Sequence, residues 1–167
     1  DADVAAVAPV EGCADRDADT IPDNIDNCPE VPGTMEYFGC PAYKKVVVQR
    51  DMLQLRDKLY FALDEAVLEP ESLPILDEVA QVLTDNPGFR VQVEGHTDTT
   101  GGEGHNQTLS ERRAEVVVRY LVDKGVAADR LKSKGFSSSQ PLDTNTTTAG
   151  RDNNRRVEFV VNFVIVK

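Results

Sequence analysis

Apolar residues recur with a regular period only in the part of the chain that follows Lys45. A first strand is predicted within residues 55–61. Beyond it, helical spacing produces an apolar stripe formed by Leu73, Leu76, Ala80 and Leu83. Pro70-Glu71-Ser72 opens this helix with Ser72 as its N-cap, and Asn86-Pro87-Gly88 ends it.

The next stretch repeats the order of strand and helix. Apolar and polar residues alternate and predict a strand that includes Phe89, Val91 and Val93. A glycine-rich loop is expected over 95–106. Residues 108–111 then have the Thr-Leu-Ser-Glu spacing of a capping box, so a second helix is expected to start there and to end near Lys124, before Gly125.

Two further strands complete the pattern, a short one over 131–136 and a final one over 157–166. The final strand is predicted by the alternation of Val157, Phe159, Val161 and Phe163 with other residues. The resulting order is β-α-β-α-β-β. Because parallel crossovers are right-handed, this order predicts an α/β (α+β) two-layer sandwich with a mixed sheet and both helices on one face.

The first 42 residues have a different composition, rich in Asp, Pro, Ala and Gly, and contain no apolar run long enough for a core element. We therefore divide the chain into a linker over 1–12, a small irregular acidic segment over 13–42 and an α/β domain over 43–167.

The overall charge limits the classes of partner. Lys and Arg total 18 against 29 Asp and Glu, which gives a formal net charge of −11. Phosphate backbones and anionic lipid surfaces repel such a chain, so nucleic acid is disfavoured as a partner. No run approaches the roughly 20 apolar residues of a spanning helix, and no signal peptide is visible. We expect any export signal or membrane part to lie upstream of Asp1.

All three cysteines lie in the first quarter of the chain, at Cys13, Cys28 and Cys40. This clustering favours a small disulfide-linked segment in an oxidising compartment over a zinc site, which would need a fourth ligand nearby. One disulfide among three cysteines allows three pairings. We prefer Cys28–Cys40, which leaves Cys13 unpaired or bonded to a partner upstream.

Five aspartates in the acidic segment occupy relative positions 1, 3, 5, 9 and 12, namely Asp15, Asp17, Asp19, Asp23 and Asp26. Carboxylates this close repel one another unless a cation lies among them, and alternate residues of an extended loop direct oxygens to a common centre, as in calcium loops. The carbonyl of Ile21, at position 7, would complete the ligand set. Thr20 stands where an EF-hand has glycine, which argues against an EF-hand. The alternative is a solvated acidic linker.

The segment also carries a family resemblance. Asp-Arg-Asp-Ala-Asp at 15–19, Asp-Asn-Cys-Pro at 26–29 and Gly-Cys-Pro at 39–41 resemble a thrombospondin type 3 calcium repeat. The resemblance implies a spacer stiffened by Ca²⁺ as its cofactor.

One charged residue interrupts the apolar stripe of the second predicted helix. Leu109, Val117 and Leu121 lie on the stripe, and Arg113 occupies the missing place. A guanidinium directed toward an apolar layer must find an anion or a set of carbonyls, because an unpaired buried charge is costly. Asp98 follows the preceding strand, at the edge where ligands of α/β sheets collect. The pair suits a zwitterion, and an internal Asp98–Arg113 salt bridge is the alternative.

Four motifs carry a second resemblance. They are residues 61–64, Glu-Gly-His-Thr-Asp at 94–98, Asn106 with Leu-Ser-Glu-Arg-Arg-Ala at 109–114, and Asn-Arg-Arg-Val-Glu at 154–158. Together they resemble the OmpA-like peptidoglycan-binding family over residues 55–162. The resemblance implies noncovalent binding of the diaminopimelate of the peptide stem, with Asp98 and Arg113 holding its zwitterionic end. It implies lesser roles for Asp64, Thr100, Asn106 and Leu109, and support from Arg156 or Arg155.

The function so implied is anchoring of an outer membrane to the cell wall, in the periplasm, by part of an outer-membrane protein whose membrane region lies upstream. A further copy of the same chain, in a homo-oligomer, is another candidate partner. The first alternative is a structural spacer or oligomerisation module without wall binding. A wall hydrolase using His96, Asp98 and Ser110 is disfavoured because no Gly-x-Ser-x-Gly elbow exists, so no enzyme is expected. A metal site at His96, His105 and Asp98 is disfavoured because His105 is predicted to lie in a glycine-rich loop.

Overall fold

The computed structural model describes residues 14–49, 51–62 and 64–163. Within these ranges the chain forms a sheet of five strands, β1 (Val46–Val48), β2 (Met52–Leu55), β3 (Phe89–His96), β4 (Leu131–Gly135) and β5 (Arg156–Phe163). Its α-helices are α1 (Leu73–Asp85), α2 (Glu103–Asp123) and α3 (Thr148–Asn154).

The sheet is mixed, with strand order β1-β2-β5-β3-β4. β3 and β4 are parallel and are connected through α2, whereas the other neighbouring strands are antiparallel. Helices α1 and α2 contact each other, and α2 packs on β3 and β4. On β3 the buried residues Phe89, Val91 and Val93 alternate with more polar ones, as the sequence predicts. The α+β class with a mixed sheet is therefore confirmed.

The prediction of a first strand within 55–61 is wrong. The strand residues lie earlier, in β1 and β2, where Met52 and Leu53 pair with Val160 and Phe159 of β5. Residues 56–60 form a loop, and Phe61 makes only an isolated bridge to Leu68. Helix α3 was also not predicted, so the observed order is β-β-α-β-α-β-α-β. Leu59 is buried although it lies in a loop, which explains why spacing alone suggested a strand.

The predicted start of the second helix is also wrong. Helix α2 begins at Glu103, and the backbone N–H of Asn106 already donates to the carbonyl of Gly102 at 2.9 Å. Its end, with Lys124 as C-cap and Gly125 at a φ of 103°, agrees with the prediction. The early start matters for the site, because it places Asn106 on the same helix as Arg113 instead of in a loop.

Ser72 does stand before α1, but its side chain does not cap that helix. Its hydroxyl instead accepts a hydrogen bond from the backbone N–H of Tyr60 at 2.7 Å. This contact ties the loop before α1 to the helix start, so it helps to fix the segment that forms one wall of the pocket described below.

The acidic segment is attached to the core by the Cys28–Cys40 disulfide, whose Cα atoms are 4.9 Å apart. This pairing confirms the preferred one. Both cysteines are buried in the cluster that also contains Val46 and Val48, and the side-chain amide of Asn27 donates to the carbonyl of Val48 at 3.1 Å. The predictions for linker 1–12, for Cys13 and for the strand end at 164–166 lie outside the described residues.

None of the helices in the described ranges combines the length and the apolar content that crossing a membrane requires.

Candidate functional site

A pocket of about 610 Å³ opens beside the carboxyl end of β3. Its walls are the loop before α1, the β3–α2 connection, the first turns of α2 and the end of α3. Its charged lining residues are Lys58, Asp64, Asp98, Arg113, Asp152 and Arg155. Acidic and basic side chains are therefore present in equal number, which suits a ligand that carries both charges.

Two glycines allow α2 to approach the sheet closely enough to form this pocket. A Cβ atom on Gly95 would lie 2.2 Å from the carbonyl oxygen of Ser110, and one on Gly135 would lie 2.5 Å from the backbone nitrogen of Glu111. Any larger residue would push the helix outward. The close approach brings one face of α2 to the pocket at the carboxyl end of β3. This face carries Asn106, Leu109 and Arg113, which follow one another at helical spacing.

Arg113 is half-buried, and carbonyl groups hold its guanidinium. Its Nε donates to the carbonyl of Glu65 at 3.0 Å, one terminal nitrogen lies 3.4 Å from the carbonyl of Ala62, and Cζ lies 5.0 Å from the ring centroid of Phe61. Burial lowers the pKa of Arg113 from its usual value. Among the described residues no carboxylate forms a salt bridge with Arg113, so the structure does not contain the Asp98–Arg113 salt bridge that was the alternative interpretation.

Asp98 is only 3% exposed and has a different cationic partner. One carboxylate oxygen accepts the backbone N–H of Thr100 at 2.7 Å, and the other forms an ion pair with Arg155. The amide of Asn106 donates to the backbone carbonyl of Asp98 at 3.3 Å. The carboxylate is thus held in one orientation at the base of the pocket.

The pocket lining also contains a small network of ion pairs that the sequence did not predict. Lys58 lies 3.2 Å from Asp152, which is also 3.4 Å from Arg155. Burial lowers the pKa of Lys58, and Arg155 and Arg113 lower it further. The sequence places Lys58 in a falsely predicted strand and Asp152 in a predicted polar loop, and recognition of α3 as a helix is the signal that could have indicated Asp152.

The structure places Asp64, Thr100, Asn106 and Leu109 in the pocket lining. Asp64 adopts a φ of 57° and its carboxylate lies 2.7 Å from Nε2 of His105 at the rim. Arg156 is not brought to this pocket.

Arg156 points away from the pocket, bonding Glu158 at 2.7 Å and the carbonyl of Gln140 at 2.8 Å. Arg155, the other arginine considered, is the C-cap residue of α3 and precedes β5, and its side chain lines the pocket while that of Arg156 does not.

The hydrolase arrangement is not assembled. The hydroxyl of Ser110 is buried, donates to the carbonyl of Gln107 at 2.9 Å and accepts the backbone N–H of Ser137 at 3.1 Å. His96 stacks on Phe136 with ring centroids 5.1 Å apart and does not line the pocket. Within the described ranges, the residue groups able to share a metal ion are Glu94–His96–Glu158 and Asp15–Asp17–Asp19, not the trio of His96, His105 and Asp98.

In the acidic segment, ligand oxygens of Asp15, Asp17 and Asp19 lie within 4.8 Å of one another. Asp23 is instead engaged by Arg16, which lies 3.3 Å from it. Thr20 adopts a φ of 77°, so a threonine takes up here the left-handed conformation for which glycine was expected.

Several carboxylate oxygens of this segment have no hydrogen-bond partner in the described part of the chain. Oδ1 of Asp15, Oδ2 of Asp17 and Oδ2 of Asp26 are buried and accept no hydrogen bond from the described residues. Burial, together with neighbouring aspartates, raises the pKa of Asp17 to about 6 and that of Asp26 to about 7. Raised values mean that the negative charges are poorly compensated by the protein itself.

Comparison with known proteins gives a family match and several relatives. The family model described as "OmpA family" matches residues 60–155. Outer membrane porin F of Pseudomonas aeruginosa is 39% identical over 153 residues, covering 89% of this chain and 42% of the relative. Peptidoglycan-binding protein ArfA of Mycobacterium tuberculosis is 47% identical over 102 residues, covering 61% of this chain and 31% of the relative. The chain therefore spans less than half the length of these curated relatives.

Among solved structures, one described as the cell wall anchor of the T6SS from Pseudomonas aeruginosa superimposes with a TM-score of 0.61 at 32% identity, covering 72% of this chain and 87% of the other. The descriptions of these three relatives are those of a porin, a peptidoglycan-binding protein and a cell wall anchor.

Proposed function

The chain belongs to the OmpA family, and on that premise we propose that its α/β domain binds peptidoglycan noncovalently through the diaminopimelate of the peptide stem. Two of the similar proteins are named for peptidoglycan binding and for cell wall anchoring. Others are named as outer-membrane proteins and lipoproteins, which supports a place in the periplasm as part of an outer-membrane protein.

The observation that carries the proposal is that Arg113 has no anionic partner among the described residues. Asp98, Asp152 and Asp64 each lie beside a basic side chain, namely Arg155, Lys58 and His105 respectively. Within the described part of the chain, by contrast, the hydrogen-bond partners of the Arg113 guanidinium are backbone carbonyls, and no carboxylate forms a salt bridge with it. A ligand carboxylate would give the half-buried guanidinium its missing anion, with charge-assisted hydrogen bonds.

The other end of the zwitterion is assigned to Asp98. Its carboxylate is fixed by the N–H of Thr100 and by Arg155, so the ligand ammonium would share the negative charge with Arg155 or displace it. Asn106 and Leu109 on α2 line the same pocket and would contact the connecting carbon chain. Binding by such fixed groups costs little reorganisation of the protein.

The first experiment is co-sedimentation of the purified chain with insoluble peptidoglycan sacculi. We expect Arg113→Ala to weaken binding by ~2–4 kcal/mol, the usual loss for a desolvated charged contact. Arg112→Ala is the matched control, because it removes the same charge from the adjacent, exposed position. Equal binding of the folded Arg113→Ala variant and wild type would place the ligand elsewhere.

Competition with free diaminopimelate then tests the finer assignment. It should release the wild-type chain from sacculi, whereas pentane-1,5-diamine at the same concentration, which has the same carbon chain and ammonium groups but no carboxylate, should release much less. If neither compound releases the chain while Arg113→Ala still abolishes binding, the pocket binds another part of the wall. If no form of the chain sediments, the spacer interpretation takes the place of wall binding.

We further propose that the acidic segment binds Ca²⁺ as a thrombospondin type 3-like spacer, with ligands among Asp15, Asp17, Asp19, Asp26 and the carbonyl of Ile21. The support is the set of buried carboxylate oxygens without partners, including that of Asp26, which is 3% exposed. Ca²⁺ prefers six to eight such oxygens. Asp23, engaged by Arg16, is the member of the predicted set whose participation would need that ion pair to open.

A further inference from the structure

A pair of like charges lies directly across the sheet from each other on β3 and β5. In the antiparallel register Glu94 is opposite Glu158, and His96 is opposite Arg156. Like charges at directly opposed positions destabilise a strand pair unless something compensates them. Glu94 is only 8% exposed, so water does not provide that compensation in full.

His96 lies against this pair without a hydrogen bond. It is 2% exposed, and neither ring nitrogen has a hydrogen-bond partner among the described residues. An imidazole always carries at least one N–H donor, and burying a polar group without a partner is costly. The ring is held in place by its stacking on Phe136. A buried, oriented and unpartnered imidazole beside two carboxylates requires a chemical explanation.

The two carboxylates are arranged alike around His96. In Glu94, one oxygen accepts from the side chain of Gln92 at 2.6 Å and the other lies 3.6 Å from Nε2 of His96. In Glu158, one oxygen accepts from Nε of Arg156 at 2.7 Å and the other lies 3.8 Å from the same nitrogen. Each glutamate is thus oriented by a neighbour through one oxygen and directs its second oxygen to the imidazole, which is how outer hydrogen bonds orient metal ligands.

We propose that Glu94, His96 and Glu158 bind a divalent transition-metal ion, with Zn²⁺ the best match. One imidazole nitrogen and two carboxylate oxygens form an accepted ligand set for Zn²⁺. Tetrahedral ligands at about 2.1 Å from the ion are about 3.4 Å apart. The observed separations from Nε2, 3.6 and 3.8 Å, require only a small contraction, and all three ligand atoms lie within 4.8 Å of one another.

The charges around the site are consistent with this assignment. Arg156 bonds Glu158, and Lys134 is opposite Glu94 on β4. Burial followed by Arg156 lowers the pKa of His96, which favours the neutral imidazole that binds metals. The site is distinct from the wall-binding pocket, whose lining contains none of Glu94, His96 and Glu158. It therefore does not depend on the proposed function.

The test uses the two histidines of the chain, His96 and His105, as separate reporters. The metal-free full chain, with excess Ca²⁺ present to occupy the acidic segment, is titrated with Zn²⁺ while the imidazole resonances are followed by NMR. We expect one equivalent of Zn²⁺ to shift the ring signals of His96 before those of His105. A response confined to His105, or no response at one equivalent, would overturn the proposal.

Measurements of Zn²⁺ affinity on two variants provide a second test of the site. Glu158→Gln keeps the shape of the side chain at a partly exposed position, so folding is expected to be retained, and Zn²⁺ affinity should fall at least about tenfold. His105→Gln is the control and should leave the affinity unchanged. If Glu158→Gln binds Zn²⁺ as the wild type does, the proposal is wrong. If His105→Gln abolishes binding, Zn²⁺ binds at the rim of the pocket instead and the proposal is equally wrong.

Discussion

Two regions of this molecule contain clusters of carboxylates, and they differ in how the negative charge is compensated. In the pocket beside β3, Asp98 and Asp152 are paired with Arg155 and Lys58. In the acidic segment, buried oxygens of Asp15, Asp17 and Asp26 accept no hydrogen bond from the described residues. The pocket is therefore organised by its own counter-charges and suits a neutral zwitterion. In the segment the described cation Arg16 pairs with Asp23 and Glu30, which leaves those buried oxygens available to a cation.

The difference also concerns stability. The ion pairs of the pocket form without a ligand, so removal of the ligand should leave the fold intact. Uncompensated carboxylates repel one another whenever the cation is absent, so its removal should weaken the surrounding structure. The predictions below test this contrast, beginning with the largest effect.

Substitution of Asp98 by asparagine should abolish the ammonium contact of the pocket. Asp98→Asn keeps an oxygen that can accept from Thr100 but removes the charge, and we expect binding to sacculi to weaken by ~2–4 kcal/mol. Binding isotherms with sacculi measure this. Asp143→Asn, at an exposed position of the β4–α3 loop, is the control and should bind as the wild type does. Normal binding by Asp98→Asn would mean that the ammonium is recognised by another group.

Calcium should stabilise the chain without changing its affinity for the wall. At free Ca²⁺ 100-fold above the dissociation constant, linkage predicts a gain of about 2.7 kcal/mol, which corresponds to a rise in Tm of roughly 5–10 °C. Thermal unfolding with Ca²⁺ and with a chelator measures the gain, and Asp17→Asn should reduce it. An identical Tm in both conditions would support the solvated linker. Loss of sacculus binding on chelation would show that the two regions are coupled.

The calcium-free chain should lose stability as pH rises toward neutrality. The pKa values of Asp17 and Asp26 are raised in the folded state, to about 6 and about 7, above those of unfolded aspartate. Their contribution is therefore complete below about pH 4 and is lost as pH rises through the folded values.

Comparison of wild type with Asp26→Asn isolates this effect from other titrating groups. The variant retains an acceptor for the N–H of Cys28, so its stability should change less between pH 5 and 7.5 when measured by thermal unfolding in calcium-free buffer. Parallel curves for the two proteins would contradict the assignment. Saturating Ca²⁺ should remove most of the difference.

The smallest effect is expected at the rim of the pocket. Asp64 and His105 form an exposed pair, with side chains 67% and 51% accessible. Exposed ion pairs contribute at most about 1 kcal/mol, so His105→Gln should change sacculus binding by less than that amount. A loss comparable with that of Arg113→Ala would show that the rim closes over the ligand.

Much of the fold follows from periodicity in the sequence. The alternation in β3 and the apolar spacing in α1 report burial directly, since each strand or helix must turn one face to the core. The errors at residues 55–61 and at the start of α2 have a common reason. Leu59 is apolar and buried but lies in a loop, and Asn106 is polar although it is buried within a helix, so in both places the polarity of the residue does not report its secondary structure.

The sequence by itself determined which charged residues are unusual. Arg113 interrupts an apolar stripe, and five aspartates recur at calcium-loop spacing, because these features are local and depend only on the period of the chain. Only the tertiary structure decided their partners. It paired Asp98 with Arg155 rather than with Arg113, turned Arg156 to the other face, and placed Glu94 opposite Glu158. Those outcomes depend on strand register and on the approach of α2 to the sheet, which are set by packing between residues far apart in the sequence.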